Sequence, residues 1–145
     1  GNLFGAVEFY NAAKAKNIHP VIGCEVYVVD DHKKQGRYNH LVLLAQDQDG
    51  YRNLIKLVST GYLDGFYYKP RVDKNLLQQH SKGLVCLSAC LRGDVNEALL
   101  EDKYAQAREL AGNYREIFGA KNFTVLDHVE RLPEKLPMLY MGLTR

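Results

Sequence analysis

Glu25 is the residue that most needs a chemical partner. It lies inside the run Val21-Ile22-Gly23-Cys24-Glu25-Val26-Tyr27-Val28-Val29, which is β-branched and of strand character. Alternation along a strand puts Gly23, Glu25 and Tyr27 on one face and Ile22, Cys24, Val26 and Val28 on the other. A carboxylate among residues that favour burial needs a cation, a metal ion or hydrogen-bond donors. On residue type alone, an ion pair with Lys or Arg is the plainer account and metal ligation the sharper one. Two further reactive types stand at strand ends: His40 opens an apolar run at 40–45, and Cys90 closes another at 84–88. Alone, the first reads as a hydrogen-bonded histidine and the second as a small buried hydrophobe.

The elements that must position these residues follow from periodicity. Ala6, Phe9, Tyr10, Ala12 and Ala13 recur at helical spacing over 5–16, and Asn17-Ile18-His19-Pro20 stops that helix before the Glu25 strand. A polar loop at 30–39 leads to the second strand. Asp47 or Asp49 can cap a helix carrying Tyr51, Leu54, Ile55, Val58 and Tyr62. Residues 64–71 break the pattern and read as a loop of aromatics and cations. Asp73 caps a short helix through Leu77, the strand at 84–88 follows, helices are predicted over 94–100 and 103–118, and a last strand over 123–126. Strands near 21, 40, 84 and 123, apolar on both faces and alternating with helices, predict an α/β fold with a parallel sheet and outer helices. Parallel barrels gather polar chemistry at strand ends, which directs attention to Glu25, His40 and Cys90.

Bulk properties set the frame. A chain of 145 residues that is 46% hydrophobic and 25% charged has the makings of one globular core. With 19 Lys and Arg against 17 Asp and Glu, its charge does not by itself announce nucleic acid. Three cysteines without a CxxC pair are a poor disulfide framework and a poor structural zinc site, so a reducing compartment is expected, with Cys24 and Cys86 in the core. No apolar stretch is long enough for a membrane span and no signal pattern opens the chain, which predicts a cytoplasmic protein. His19, His32, His80 and His128 fall in loops or turns, where an exposed histidine needs no role. A first residue of Gly, in what looks like the middle of a loop, predicts a piece of a longer protein.

Six strings in register carry a resemblance: Gly1-Asn2-Leu3-Phe4-Gly5-Ala6-Val7-Glu8-Phe9-Tyr10, Ile22-Gly23-Cys24-Glu25-Val26-Tyr27-Val28, His40-Leu41-Val42-Leu43-Leu44-Ala45, Gly50-Tyr51-Arg52-Asn53-Leu54, Gly65-Phe66-Tyr67-Tyr68-Lys69-Pro70-Arg71 and Leu87-Ser88-Ala89-Cys90-Leu91. Together they resemble the PHP (polymerase and histidinol phosphatase) domain of bacterial replicative DNA polymerase III alpha subunits. The match runs through Phe123. Beyond it, Asp127-His128 and Leu132-Pro133-Glu134 echo the family with a shifted gap and 135–145 does not follow it. A partial PHP domain over 1–126 and a divergent tail over 127–145, of foreign or frameshifted origin, are therefore expected.

The resemblance implies a partial, distorted (βα) barrel with its first and last strands outside this sequence. It implies a metal cluster whose ligands here are Glu25, His40 and Cys90, holding divalent ions of zinc type, with manganese or magnesium as alternatives. Carboxylate, imidazole and thiolate all suit zinc. By residue type, Lys69 and Arg71, beside Tyr67 and Tyr68, are suited to hold a phosphate at the mouth of that cluster, Arg offering a planar fork and Lys a point charge, a solvated loop being the alternative. The implied parent is a DNA-directed DNA polymerase, with DNA, deoxynucleotides, a proofreading exonuclease subunit and other replisome subunits as partners. Its polymerase carboxylates and several of the cluster's ligands lie elsewhere, so this chain alone is expected to be inactive, with no nucleotide incorporation and little or no exonuclease activity. The domain itself would be a metal-dependent 3′-5′ exonuclease or a docking scaffold, the alternatives being a PHP-family phosphoesterase and a purely structural module.

Overall fold

The computed structural model describes residues 1–126, so the tail expected over 127–145 lies outside the described residues. Six strands form one sheet: β1 (Gly23–Val29), β2 (Asn39–Ala45), β3 (Phe66–Tyr67), β4 (Lys69–Asp73), β5 (Leu84–Leu87) and β6 (Phe123–Thr124), in the order β3-β4-β1-β2-β5-β6. The helices are α1 (Ala6–Ala15), α2 (Gln48–Leu63), α3 (Lys74–Gln79), α4 (Asp94–Leu100) and α5 (Tyr104–Phe118). Among the described residues β3 and β6 end the sheet, as in a barrel that is only partly present.

The α/β class and the outer helices are as expected; the strand directions are not uniformly so. β1 beside β4 and β5 beside β6 are parallel, whereas β1–β2 and β2–β5 are antiparallel. The cause is the connection at 30–38, shorter than the dozen or so residues a parallel crossover needs, so β2 returns alongside β1 as a hairpin. Nor is the sheet buried equally on both faces. Burial alternates along β1, with Cys24, Val26 and Val28 buried and Gly23, Glu25 and Tyr27 only half so. The buried face, continued by Leu41, Leu43, Val72, Leu84 and Cys86, packs against Leu54, Leu57 and Val58 of α2 and Ala107, Ala111 and Tyr114 of α5. All chemistry on β1 and β2 is thereby left to the opposite face.

The local signals mostly act as read. Asp47 caps α2, its Oδ1 accepting from Gly50 N–H at 2.8 Å. Gly50 is required by close approach: a Cβ there would lie 1.8 Å from the carbonyl oxygen of Gly83, in the turn that feeds β5. The segment read as a loop at 64–71 holds instead the short hairpin β3–β4, turning at Tyr68 with φ of 57°. Two-residue pairing around a proline leaves too little alternation to be seen in sequence. Cys24 and Cys86 lie in the core at 6% and 0% exposure, and burial raises both thiols above their ordinary value. No helix of the described residues is long and apolar enough to cross a membrane.

Candidate metal centre

The register of β1 and β2 brings the first two residues together. Glu25 pairs with Val42 and Tyr27 with His40, which makes Glu25 and His40 diagonal neighbours on the half-buried face. His40 Nδ1 lies 3.4 Å from Glu25 Oε1. The third arrives from β5, which runs antiparallel to β2 with Leu87 opposite Val42, so the chain leaving β5 passes the start of β2. There His40 N–H donates to the Arg92 carbonyl at 3.0 Å, and Cys90 Sγ stands 3.4 Å from His40 Nδ1 although 50 residues separate them in sequence.

The donor atoms of Glu25, His40 and Cys90 all lie within 4.8 Å of one another. Zinc bonds of about 2.0–2.3 Å at a tetrahedral angle require donor separations of about 3.3–3.7 Å. Both 3.4 Å separations at His40 meet that requirement, and the donor set is one zinc accepts. The imidazole is held on two sides, stacked on Tyr38 at 5.9 Å and 6° and edge-on to Tyr27 at 5.5 Å. Its side chain is 14% exposed while that of Glu25 is 41% exposed, so the group is backed by protein at His40 and open to solvent at Glu25.

Lys69 and Arg71, expected together at a phosphate, separate. Lys69 is exposed, its ammonium 5.7 Å from the Tyr27 ring and hence on the side of the metal candidates. Arg71 is 2% exposed, and its guanidinium donates to three carbonyls: Nε to Gly65 at 2.9 Å, one terminal nitrogen to Lys34 at 2.7 Å and the other to His32 at 3.2 Å. Arg71 thus bolts β4 to the 30–38 loop, where the sequence had set it beside Lys69 at a phosphate. The sequence pattern placed it on a loop; as the middle residue of β4, paired with Tyr27, it points across the sheet into that loop.

A pair that the sequence reading passed over holds the same loop. His32 is no exposed loop histidine: its Nδ1 lies 2.5 Å from Asp73 Oδ2, with the side chains 11% and 7% exposed. Asp73 Oδ1 accepts from Leu76 N–H at 2.9 Å, capping α3 as expected. These two and Asp31 also place donor atoms within 4.8 Å, but the carboxylates are already engaged, Asp31 by Lys33 N–H at 3.0 Å and by the Lys34 ammonium at 3.1 Å. The cluster is a latch on the loop. Burial alone would raise the Asp73 carboxyl, yet the hydrogen bonds from His32 and Leu76 outweigh it and hold it below its ordinary value of 3.8. A carboxyl lowered in the folded state stabilises above its unfolded value and loses that contribution as pH falls. Urea midpoints should therefore drop as pH falls below about 4, and in Asp73→Asn that acid-dependent component should be missing; an identical pH profile in the variant would reject the latch.

The PHP domain family matches residues 1–125. The chain belongs to the PHP domain family. It is similar to DNA polymerase III subunit alpha of Chlamydia muridarum, 46% identical over 145 residues that cover 95% of this chain and 12% of that protein. It is likewise similar to the Treponema pallidum subunit, 45% identical over 137 residues (88% and 12%), and to that of Thermus aquaticus, 42% identical over 143 residues (93% and 12%). The PHP chain thus spans about an eighth of the length of these curated relatives, and the resemblance of the six strings is to the PHP domain of that subunit.

Proposed function

We propose that this chain is the metal-binding PHP module of a DNA polymerase III alpha-type protein, a module that within the whole protein acts on phosphodiesters as a 3′-5′ exonuclease. The observation that carries the proposal is the convergence of Glu25, His40 and Cys90 within 4.8 Å, with both separations at His40 suited to zinc. These three side chains would hold a zinc ion, manganese or magnesium being the alternatives, the second of them poorly served by a thiolate. Such an ion, when bound, would supply a water made nucleophilic at neutral pH. The chain's own contributions are distinct from it. Tyr27 and Tyr38 hold the His40 ring in place, and exposed Lys69 offers a point charge to a substrate phosphate near Tyr27. In the whole protein the partners would be DNA, deoxynucleotides, a proofreading exonuclease subunit and other replisome subunits, in the cytoplasm; the polymerase reaction belongs to regions other than this chain.

Equilibrium dialysis against zinc tests the proposal directly. The purified chain should retain zinc that a chelator removes, and should incorporate no deoxynucleotide in primer extension. A chain that binds no zinc at micromolar concentration, or that extends a primer after repurification, would overturn it.

A further inference from the structure

Cys90 stands on a turn rather than on a strand, and the turn is held by a buried amide that none of the preceding chemistry uses. Asn96, in the first turn of α4, is 0% exposed. Its Nδ2 faces three acceptors of the turn: Cys90 O at 3.1 Å, Ala89 O at 3.3 Å and Ser88 Oγ at 3.4 Å. Among the described residues its Oδ1 has no partner, so the amide is anchored by its donors alone. The turn is otherwise unfavourable. Ala89 has φ of 60°, in the left-handed region that a residue with a Cβ seldom enters.

Other contacts tighten the same turn. Gly93 N–H donates to Cys90 O at 2.8 Å, and a Cβ on Gly93 would meet Ser88 O at 2.0 Å, which fixes the helix start against the turn. Ser88 Oγ accepts in addition from Leu126 N–H at 2.9 Å. The result is that the Cys90 carbonyl points inward to Asn96 and Gly93 while its sulfur points to His40 and accepts from Arg92 N–H at 3.4 Å. A side chain whose donors reach residues 88, 89 and 90 at once sets the direction of the thiol.

We propose that Asn96 is the positioning residue of the thiol ligand, holding the strained 88–90 turn so that Cys90 Sγ faces His40 and Glu25. This deepens the metal-site proposal and rests on it. A positioning partner outside the ligand set characteristically changes metal affinity by about 10–100-fold.

The test uses the 145-residue chain with cobalt(II) as the probe metal, and variants Asn96→Asp, Cys90→Ala and the double variant. Asn96→Asp keeps the shape and removes the donors. Under conditions where its far-UV dichroism equals that of the parent, it should bind cobalt at least about 10-fold more weakly, with a diminished thiolate-to-cobalt absorption band. On the Cys90→Ala background the same substitution should change affinity little, because its route to the metal is gone. Tyr114→Phe, which removes the hydrogen bond to Asp94 at 2.9 Å in the same helix turn, serves as the structural control: it should lower stability and leave the band intact. Alkylation of Cys90 without metal, followed by mass spectrometry, separates the two proposals. A several-fold faster reaction in Asn96→Asp supports positioning even if no variant binds cobalt, in which case only the metal site fails. If Asn96→Asp does not fold, Asn96→Ser, with one donor, should give an intermediate change in both measurements. An Asn96 variant with the parent's band, affinity and alkylation rate, or one whose loss of affinity is the same with and without Cys90, overturns the proposal.

Discussion

Replacing His40 with alanine should lower the affinity of the chain for zinc or cobalt by at least about 100-fold, since substitution of partners outside the ligand set already costs 10–100-fold. His40 is the middle donor, 3.4 Å from both Glu25 Oε1 and Cys90 Sγ. Without it the remaining carboxylate and thiol have no donor between them, and Glu25 is 41% exposed and free to reorient. The metal-free fold should change much less, because the backbone hydrogen bond from residue 40 to the Arg92 carbonyl does not need the imidazole. The readout is the rise in melting temperature on adding metal. At 100 times the dissociation constant a bound ion stabilises the parent by about 2.7 kcal/mol, and at the same concentration the variant should gain about 0.4 kcal/mol. A His40→Ala chain that melts at the parent's temperature in zinc, and binds cobalt as tightly, would remove the site from this surface.

Arg71→Ala should be the most destabilising of the exchanges on this face, by about 3 kcal/mol, with melting lowered by on the order of 10 °C. The substitution leaves the carbonyls of Gly65, Lys34 and His32 without their donor in a place where water has little access, since Arg71 is only 2% exposed. It also removes the guanidinium over the Tyr67 ring, 5.3 Å from its centroid. Because the two bonded loop residues, His32 and Lys34, lie on the connection that ends at Tyr38, loss of the bolt should also loosen the ring stacked on His40 and weaken metal binding secondarily. Lys69→Ala is the companion measurement: an exposed lysine should leave stability within about 0.5 kcal/mol and reduce affinity for phosphate esters. The reverse pattern, an Arg71→Ala chain of parental stability that no longer binds a phosphate ester, would restore Arg71 as a substrate ligand.

Asp73 and Arg71 show how local signals and long-range ones divide. The capping role of Asp73 was legible because a cap acts within four residues. Its bond to His32, 41 residues away, was not, and neither was the burial of Arg71, whose partners come from 6, 37 and 39 residues away. Likewise the face of β1 that carries Glu25 and Tyr27 follows from alternation alone, while the neighbour that face meets depends on which strand lies beside it.

The order of the helices and of β1, β2, β5 and β6, the caps at Asp47 and Asp73, the face of Glu25 and membership in the PHP family were determined by the sequence itself, since each rests on spacing within a segment or on strings in register. The direction of β2 was decided by the tertiary structure. In a uniformly parallel sheet, His40 at the start of its strand would stand at the end away from Cys90 at the close of β5. The short 30–38 connection turns β2 over, and the start of a reversed strand is the finishing end of its neighbours. Strand direction is a property of the closed path of the chain, not of any one segment, and for that reason only the folded arrangement could bring Glu25, His40 and Cys90 to one point.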